Sequence, residues 1–242
     1  MPQPRYRSRI YGYFPSGIKW LLISNTVIFV AWTLGPAGFQ QDVLVNLALN
    51  KVLSYKLIWQ LVTYQFLHGG VFHLVFNMLA LWMFGSPLES DWGTRRFLRY
   101  YFICGIGAGI CDLLLNLLVG GRAPTIGASG AIYGVLLAFG VCYPEQTVLM
   151  NFLFPIKAKY MVMIYGAIAL YGSMSVNSGV SNIAHLGGMA VGFVYLKSRL
   201  PRLKKLRLPD WQGAYRQWKL ERAKRKFQVY MKKHGGQGPW VN

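Results

Sequence analysis

Carboxylates are scarce in this chain: seven Asp and Glu stand against 26 Lys and Arg, a formal net charge of +19 over 242 residues. In a soluble protein that imbalance would suggest nucleic acid; in a membrane protein it marks cytoplasmic ends that face anionic lipid. Charge of either sign is thin overall. Only 14% of residues are charged against 54% hydrophobic, and the mean hydropathy is +0.31. Those proportions, with the apolar residues gathered in long blocks, argue against an ordinary soluble domain. Cysteine is rare as well. Cys104 and Cys111 fall about two turns apart on one helix and cannot bridge within it, and Cys142 is the third. There is no CxxC and no metal-spaced Cys/His set, so structural zinc is unsupported and no metal or cofactor is expected. No clear small-x-small cleavage site follows the first apolar run, which therefore reads as a retained span rather than a signal peptide.

The apolar blocks themselves run about Ile18–Gly35, Val71–Leu88, Phe97–Val119, Ile126–Tyr143, Lys159–Val176 and Ile183–Leu200. Each is about long enough to cross ~30 Å of hydrocarbon at ~1.5 Å per residue. They predict an all-α membrane protein, a bundle of six transmembrane helices. Its divisions are a basic N-terminal tail (1–17), a six-span domain (18–200) and a basic C-terminal tail (201–242). The fourth block is among the shortest and stops at Pro144, so it must be recessed at one end, leaving room for water above it. Residues 35–70 form a long connection, and their Leu, Val and Trp content suggests short helices at the interface. Orientation follows from the Lys/Arg bias. With the N-terminus inside, one side receives Arg5, Arg7, Arg9, Lys19, Arg95, Arg96, Arg99, Lys157, Lys159, Lys197, Arg199, Arg202, Lys204, Lys205 and Arg207, and the other only Lys51, Lys56 and Arg122. Both termini then face the cytoplasm, and spans two, four and six all begin at the outer face.

Polar residues inside spans are costly, so each needs an account. Span two opens HGGVFHLVFN, with His73 and Asn77 on one helical face. Span four opens TIGASGAIYG, with Ser129 and Tyr133 four apart, and span six opens SNIAHLGG, with His185 in its first turns. Three separate segments thus deliver their polar residues to one depth of the membrane. A serine hydroxyl needs a base to take its proton, and histidine is the usual base near neutral pH. Ser129 as nucleophile and His185 as general base are the candidate pair. Gly130-x-x-x-Gly134 and Gly188-x-x-x-Gly192 would let the two helices approach closely. The Ser129 backbone N–H, the Asn77 amide and the His73 imidazole are candidate oxyanion donors, and Tyr133 is placed to pack on the His185 ring. Taken singly, each feature has a structural explanation: Gly-x-Ser-Gly as a packing motif, the histidines and Asn77 as bonds between helices. Their shared depth favours chemistry. Asp112, the carboxylate well inside a span, reads as a polar pairing between helices more readily than as a third catalytic member.

With these residues in view, the chain resembles the rhomboid intramembrane proteases of the basic six-helix type. The likeness covers about residues 18–200. It rests on His68 followed by His73-x-x-x-Asn77, on Gly127-Ala128-Ser129-Gly130 with Tyr133, and on Ala184-His185-x-x-Gly188-x-x-x-Gly192. Glu89 and Gly93 match the turn after span two. Trp59–Gln60 stands where some members carry Trp-Arg, so that positive charge is absent here. The resemblance implies a Ser129–His185 dyad without an acidic third member. It gives an oxyanion role to His73 and Asn77 and a stacking role to Tyr133, with Gly127 and Gly188 in support. The implied partners are transmembrane protein substrates whose helix must unwind before cleavage, because helical backbone is already hydrogen-bonded. The resemblance, with the compact six-span layout, also implies a multi-pass protein of a bacterial plasma membrane.

Two other function classes fit the sequence less well. A non-catalytic member of the same fold that binds transmembrane helices would be expected to lack the serine or the histidine, and this chain keeps both. A transporter or channel would show charged spans or paired broken helices, and only Asp112 and the histidines qualify. In the tail, Trp211, Tyr215 and Trp218 share a helical face while Phe227 and Met231 fall on another. That pattern fits contact with anionic lipid headgroups, and nothing else there supports nucleic acid.

Overall fold

In the computed structural model the described residues are 14–50, 57–119, 124–150, 154–173 and 182–199, with 219–220, 222–224 and 227 in the tail. The basic residues Arg5, Arg7, Arg9, Lys51, Lys56, Arg122, Arg202, Lys204, Lys205 and Arg207 and the tail residues Trp211, Tyr215, Trp218 and Met231 lie outside them. The chain divides into two compact units, residues 1–199 and 200–242; the first holds every element described below.

The helices are α1 (Ser16–Leu34), α2 (Ala37–Leu47), the single turn α3 (Gln60–Thr63) running into a 3-10 turn at Tyr64–Phe66, α4 (Val71–Trp92), α5 (Thr94–Val119), α6 (Ser129–Cys142), α7 (Ala158–Ser173) and α8 (Asn182–Arg199). A helix stands at each of the six apolar blocks. Three of them, α1, α4 and α5, are long and apolar enough to cross a membrane on that basis alone. α6 has 14 residues, about 21 Å at 1.5 Å per residue, so it falls short of a ~30 Å hydrocarbon layer. Its end is set by Pro144, which biases Tyr143 out of helical geometry. The outward faces are apolar: Phe72 is 78% exposed, Leu118 84% and Tyr171 80%. In water such a surface would drive association; against lipid it is the expected solvent-facing side. The protein is an integral membrane protein.

The expected all-α class needs one amendment. Between α6 and α7 lies an antiparallel ladder of β1 (Thr147–Met150) and β2 (Phe154–Lys157), in which Thr147 pairs with Lys157 and Met150 with Phe154. Val148, Ile156 and Phe154 supply branched and aromatic residues suited to a strand, and apolar periodicity over so short a segment does not separate strand from helix. The ladder's base is tied to α7 by Glu145, which accepts from Lys157 Nζ at 2.7 Å and also from Lys159 Nζ.

The centre of the bundle is α5, α6 and α8. Buried tyrosines donate to helix carbonyls there, Tyr64 to Gly105 and Tyr100 to Gly134, both at 2.7 Å, which removes the penalty of burying a hydroxyl. At the edge of this core, buried Glu89 on α4 caps α1. Its two oxygens accept from the Gly17 and Ile18 N–H groups at 2.7 Å each, and Thr94 donates to it at 2.6 Å. A carboxylate on the unpaired donors of a helix N-terminus is stabilised by charge and hydrogen bonding together. That contact is the structural reason for Glu89 in the last turn of α4.

Candidate functional site

Ser129 is the first residue of α6 and His185 lies in the first turn of α8. Their side chains meet: His185 Nε2 stands 2.7 Å from Ser129 Oγ. For the hydroxyl to donate, the neutral imidazole carries its proton on Nδ1, and Nδ1 is buried with no hydrogen-bond partner among the described residues. Tyr133, one turn along α6, lies flat on the imidazole with ring centroids 4.1 Å apart and 3° between planes. Tyr165 of α7 meets Tyr133 edge-on at 6.2 Å.

Small residues bring α6 and α8 this close. A Cβ on Gly188 would overlap the Gly130 carbonyl, and one on Gly134 would lie 3.1 Å from the Gly188 carbonyl. Any larger residue at these positions would hold the two backbones, and so the pair, apart.

His73 and Asn77 arrive from α4. The His73 ring packs against Gly127, where a Cβ would lie 2.8 Å from its Cε1 and Nε2. Gly127 also has φ of 117°, a conformation that disfavours a side chain, so two independent constraints call for glycine two residues before the serine. Asn77 Nδ2 donates to the His73 carbonyl at 2.8 Å, leaving a second N–H on the amide. His68 lies edge-on to His73 with centroids 5.0 Å apart. The five polar residues from three blocks therefore gather at one end of the bundle, with Gly127 beside His73 and Gly188 beneath the pair.

Asp112 goes elsewhere. Its Oδ2 accepts from Thr125 Oγ1 at 2.8 Å and from Asn116 Nδ2 at 3.2 Å, which ties α5 to the segment leading into Ser129. Among the described residues no group of His, Cys, Asp and Glu could hold a metal ion.

The connection before α4 contributes more than its sequence signals. Leu49 and Thr125 form a two-way backbone bridge at 2.9 Å in each direction, and Gly127 N donates to the Tyr64 carbonyl at 2.9 Å. Buried Gln60 holds that connection together, donating to the Val45 carbonyl at 2.9 Å and accepting from Asn50 N at 3.1 Å. A neutral amide, with one donor group and one acceptor, anchors this loop where a positive charge was the alternative.

Fold and site define a helical integral membrane protein with a serine–histidine pair near one end of its bundle. A Rhomboid domain is matched over residues 56–202, and the chain belongs to the rhomboid family. It is 33% identical over 165 residues to RHOMBOID-like protein 4 of Arabidopsis thaliana, covering 66% of this chain and 39% of that one. It is 35% identical over 144 residues to Rhomboid protease GluP of Bacillus subtilis, covering 60% and 26%. With Rhomboid protein 1, mitochondrial, of Saccharomyces cerevisiae the identity is 34% over 195 residues, covering 76% and 55%. The chain thus spans about half or less of the length of these relatives.

Proposed function

We propose that this protein is an intramembrane serine endopeptidase that cleaves peptide bonds in or near transmembrane helices of membrane proteins. The observation that carries the reading is the 2.7 Å contact between Ser129 Oγ and His185 Nε2 beneath a stacked Tyr133. Membership of a family that includes a protease supports it.

In this reading the Ser129 oxygen attacks the scissile carbonyl carbon while its proton passes to His185 Nε2. The oxyanion is met by the Ser129 backbone N–H, unpaired at the start of α6, and by the Asn77 amide and His73 ring. His185 returns the proton to the leaving amine nitrogen, the C–N bond breaks, and Ser129 holds an acyl ester. Water then attacks that ester with His185 again as base, freeing the second product and restoring the hydroxyl. The Tyr133 ring face favours the transient imidazolium. The shortness of α6 supports an aqueous recess above Ser129 through which the water arrives.

The accompanying topology is six membrane crossings with both termini cytoplasmic and the pair near the outer face. A bacterial plasma membrane is the proposed location, supported by the Bacillus relative. Substrates are transmembrane segments that can unwind locally, since a helical amide must lose its own hydrogen bond before it reaches Ser129.

The test is fluorophosphonate labelling of the detergent-solubilised protein beside cleavage of a transmembrane substrate in vesicles. Both are lost in Ser129→Ala, and cleavage is lost in His185→Ala, in proteins that still purify as folded species. Labelling that persists without Ser129 overturns the assignment; capture of substrate helices with no cleavage by the unaltered protein supports a helix-binding member instead.

A further inference from the structure

A second polar cluster lies at the other end of the bundle and plays no part in the proposed chemistry. Arg95 and Arg96 open α5, Arg99 follows one turn later, and Arg199 closes α8. With Trp92 and Tyr195 they line a cavity of about 610 Å³. Arg199 lies fourteen residues along α8 from His185, about 21 Å at 1.5 Å per residue. Among the described residues the salt bridges run from Lys157 and Lys159 to Glu145, and none engages these four arginines. Four like charges facing one cavity repel one another unless an anion sits among them.

The walls are arranged for such an anion. Arg96 is held over the Trp92 ring at 5.6 Å, Trp92 meets Tyr100 edge-on at 5.3 Å, and Tyr100 meets Tyr195 at 5.5 Å. Stacking fixes a guanidinium while leaving its N–H fork available for phosphate. The first turn of α5 adds backbone N–H groups to the same space. Immediately beside Tyr195 the surface turns apolar, with Val194 67% and Phe193 43% exposed. A ligand with a phosphate head and hydrocarbon chains satisfies both surfaces at once. Trp and Tyr flanking arginines at a helix end are also the pattern of a headgroup layer.

We propose that this cavity binds the phosphate headgroup of an anionic phospholipid, with its acyl chains along the outer face of α8. The site stands whether or not Ser129 is a nucleophile.

Native mass spectrometry of the full chain in detergent tests it, with phosphatidylglycerol and phosphatidylcholine of matched acyl chains as probes. Phosphatidylglycerol is retained in preference. Arg96→Gln with Arg199→Gln weakens retention about thirtyfold, at roughly 1 kcal/mol per arginine, and Arg96→Lys with Arg199→Lys restores part of it. Lys19→Gln with Lys157→Gln, which removes equal charge from residues outside the cavity lining, leaves retention unchanged. Equal loss in that control, or equal retention of phosphatidylcholine, overturns the proposal. Displacement of the lipid by excess inorganic phosphate, or by an acidic peptide, assigns the cavity to those ligands instead and overturns it too.

Discussion

Tyr133 and His185 lie face to face, 4.1 Å between centroids and nearly parallel, on helices whose backbones touch through glycine. The stack fixes the plane of the imidazole, and with it the direction of Nε2 toward Ser129. Ring removal should therefore cost rate more than binding. Tyr133→Phe keeps the face and is expected to hold kcat within about twofold. Tyr133→Ala should lower kcat about thirtyfold, in line with about 2 kcal/mol for a desolvated cation–ring contact. Measurement of kcat and KM separately on a transmembrane substrate checks it; a matching fall in Tyr133→Phe would mean that the hydroxyl, not the ring, does the positioning.

The Gly188 contact gives a prediction about stability. Its missing Cβ would overlap the Gly130 carbonyl, a backbone atom that cannot swing aside, so Gly188→Ala should destabilise by about 1–3 kcal/mol. Gly166 in α7 is the control, because its added Cβ would meet the flexible Met189 side chain at an ordinary 3.4 Å. Gly166→Ala should be neutral or slightly stabilising through helix propensity. Thermal unfolding in one detergent compares the two. Equal midpoints would remove the close-approach argument.

What was legible in the sequence was whatever follows from periodicity and from helix direction. Helices at the six apolar blocks, and the gathering of His73, Asn77, Ser129, Tyr133 and His185 at one end of the bundle, needed only the rise per residue and alternation of direction. Gly130 and Gly188 were legible because small residues four apart are a packing signal. The reason for Gly127 was not, since it depends on a ring arriving from α4. Gln60 and the Leu49–Thr125 bridge escaped for the same reason: each bond joins segments far apart in the chain, and neither residue type announces a partner. The β1–β2 ladder escaped because four-residue strands carry too little periodicity to read. Glu89 was visible as a motif residue, but the α1 donors that it caps became visible only in three dimensions.

The ladder's attachment has a defined pH response. Lys157, then Lys159, hydrogen-bonded to Glu145, push its carboxyl down from 4.5 to about 2. A carboxyl depressed on folding contributes stability above its unfolded pKa, and that contribution is lost as pH falls through the folded value. The clamp should hold unchanged from pH 8 to about 5 and release between roughly 4.5 and 2. Because Glu145 is exposed, the effect is local rather than global. Amide exchange in β1 and β2 should be slow at pH 5 and above and faster in Glu145→Gln at the same pH, while unfolding temperature barely moves. Exchange identical in both proteins would show that the strands hold themselves.

Gln60 offers the sharpest test of how the loop supports the site. Its amide donates to Val45 and accepts from Asn50 N while fully buried, and the same connection reaches Thr125 and Gly127 through backbone bonds. Gln60→Ala removes the donor to the part-buried Val45 carbonyl and the acceptor that Gln60 offers the Asn50 N–H, at about 1–3 kcal/mol for a group left unmet. Gln60→Glu keeps the acceptor for Asn50 but turns the donor to Val45 into a second acceptor, so it should be at least as damaging. Gln60→Arg keeps donors for Val45 and forfeits the acceptor for Asn50, so it should fall between the unaltered protein and Gln60→Ala. The damage should travel along the bonded path: fluorophosphonate labelling of Ser129 slows in the same order as the loss of unfolding temperature. If stability falls while labelling is untouched, the connection anchors the fold but does not position the serine.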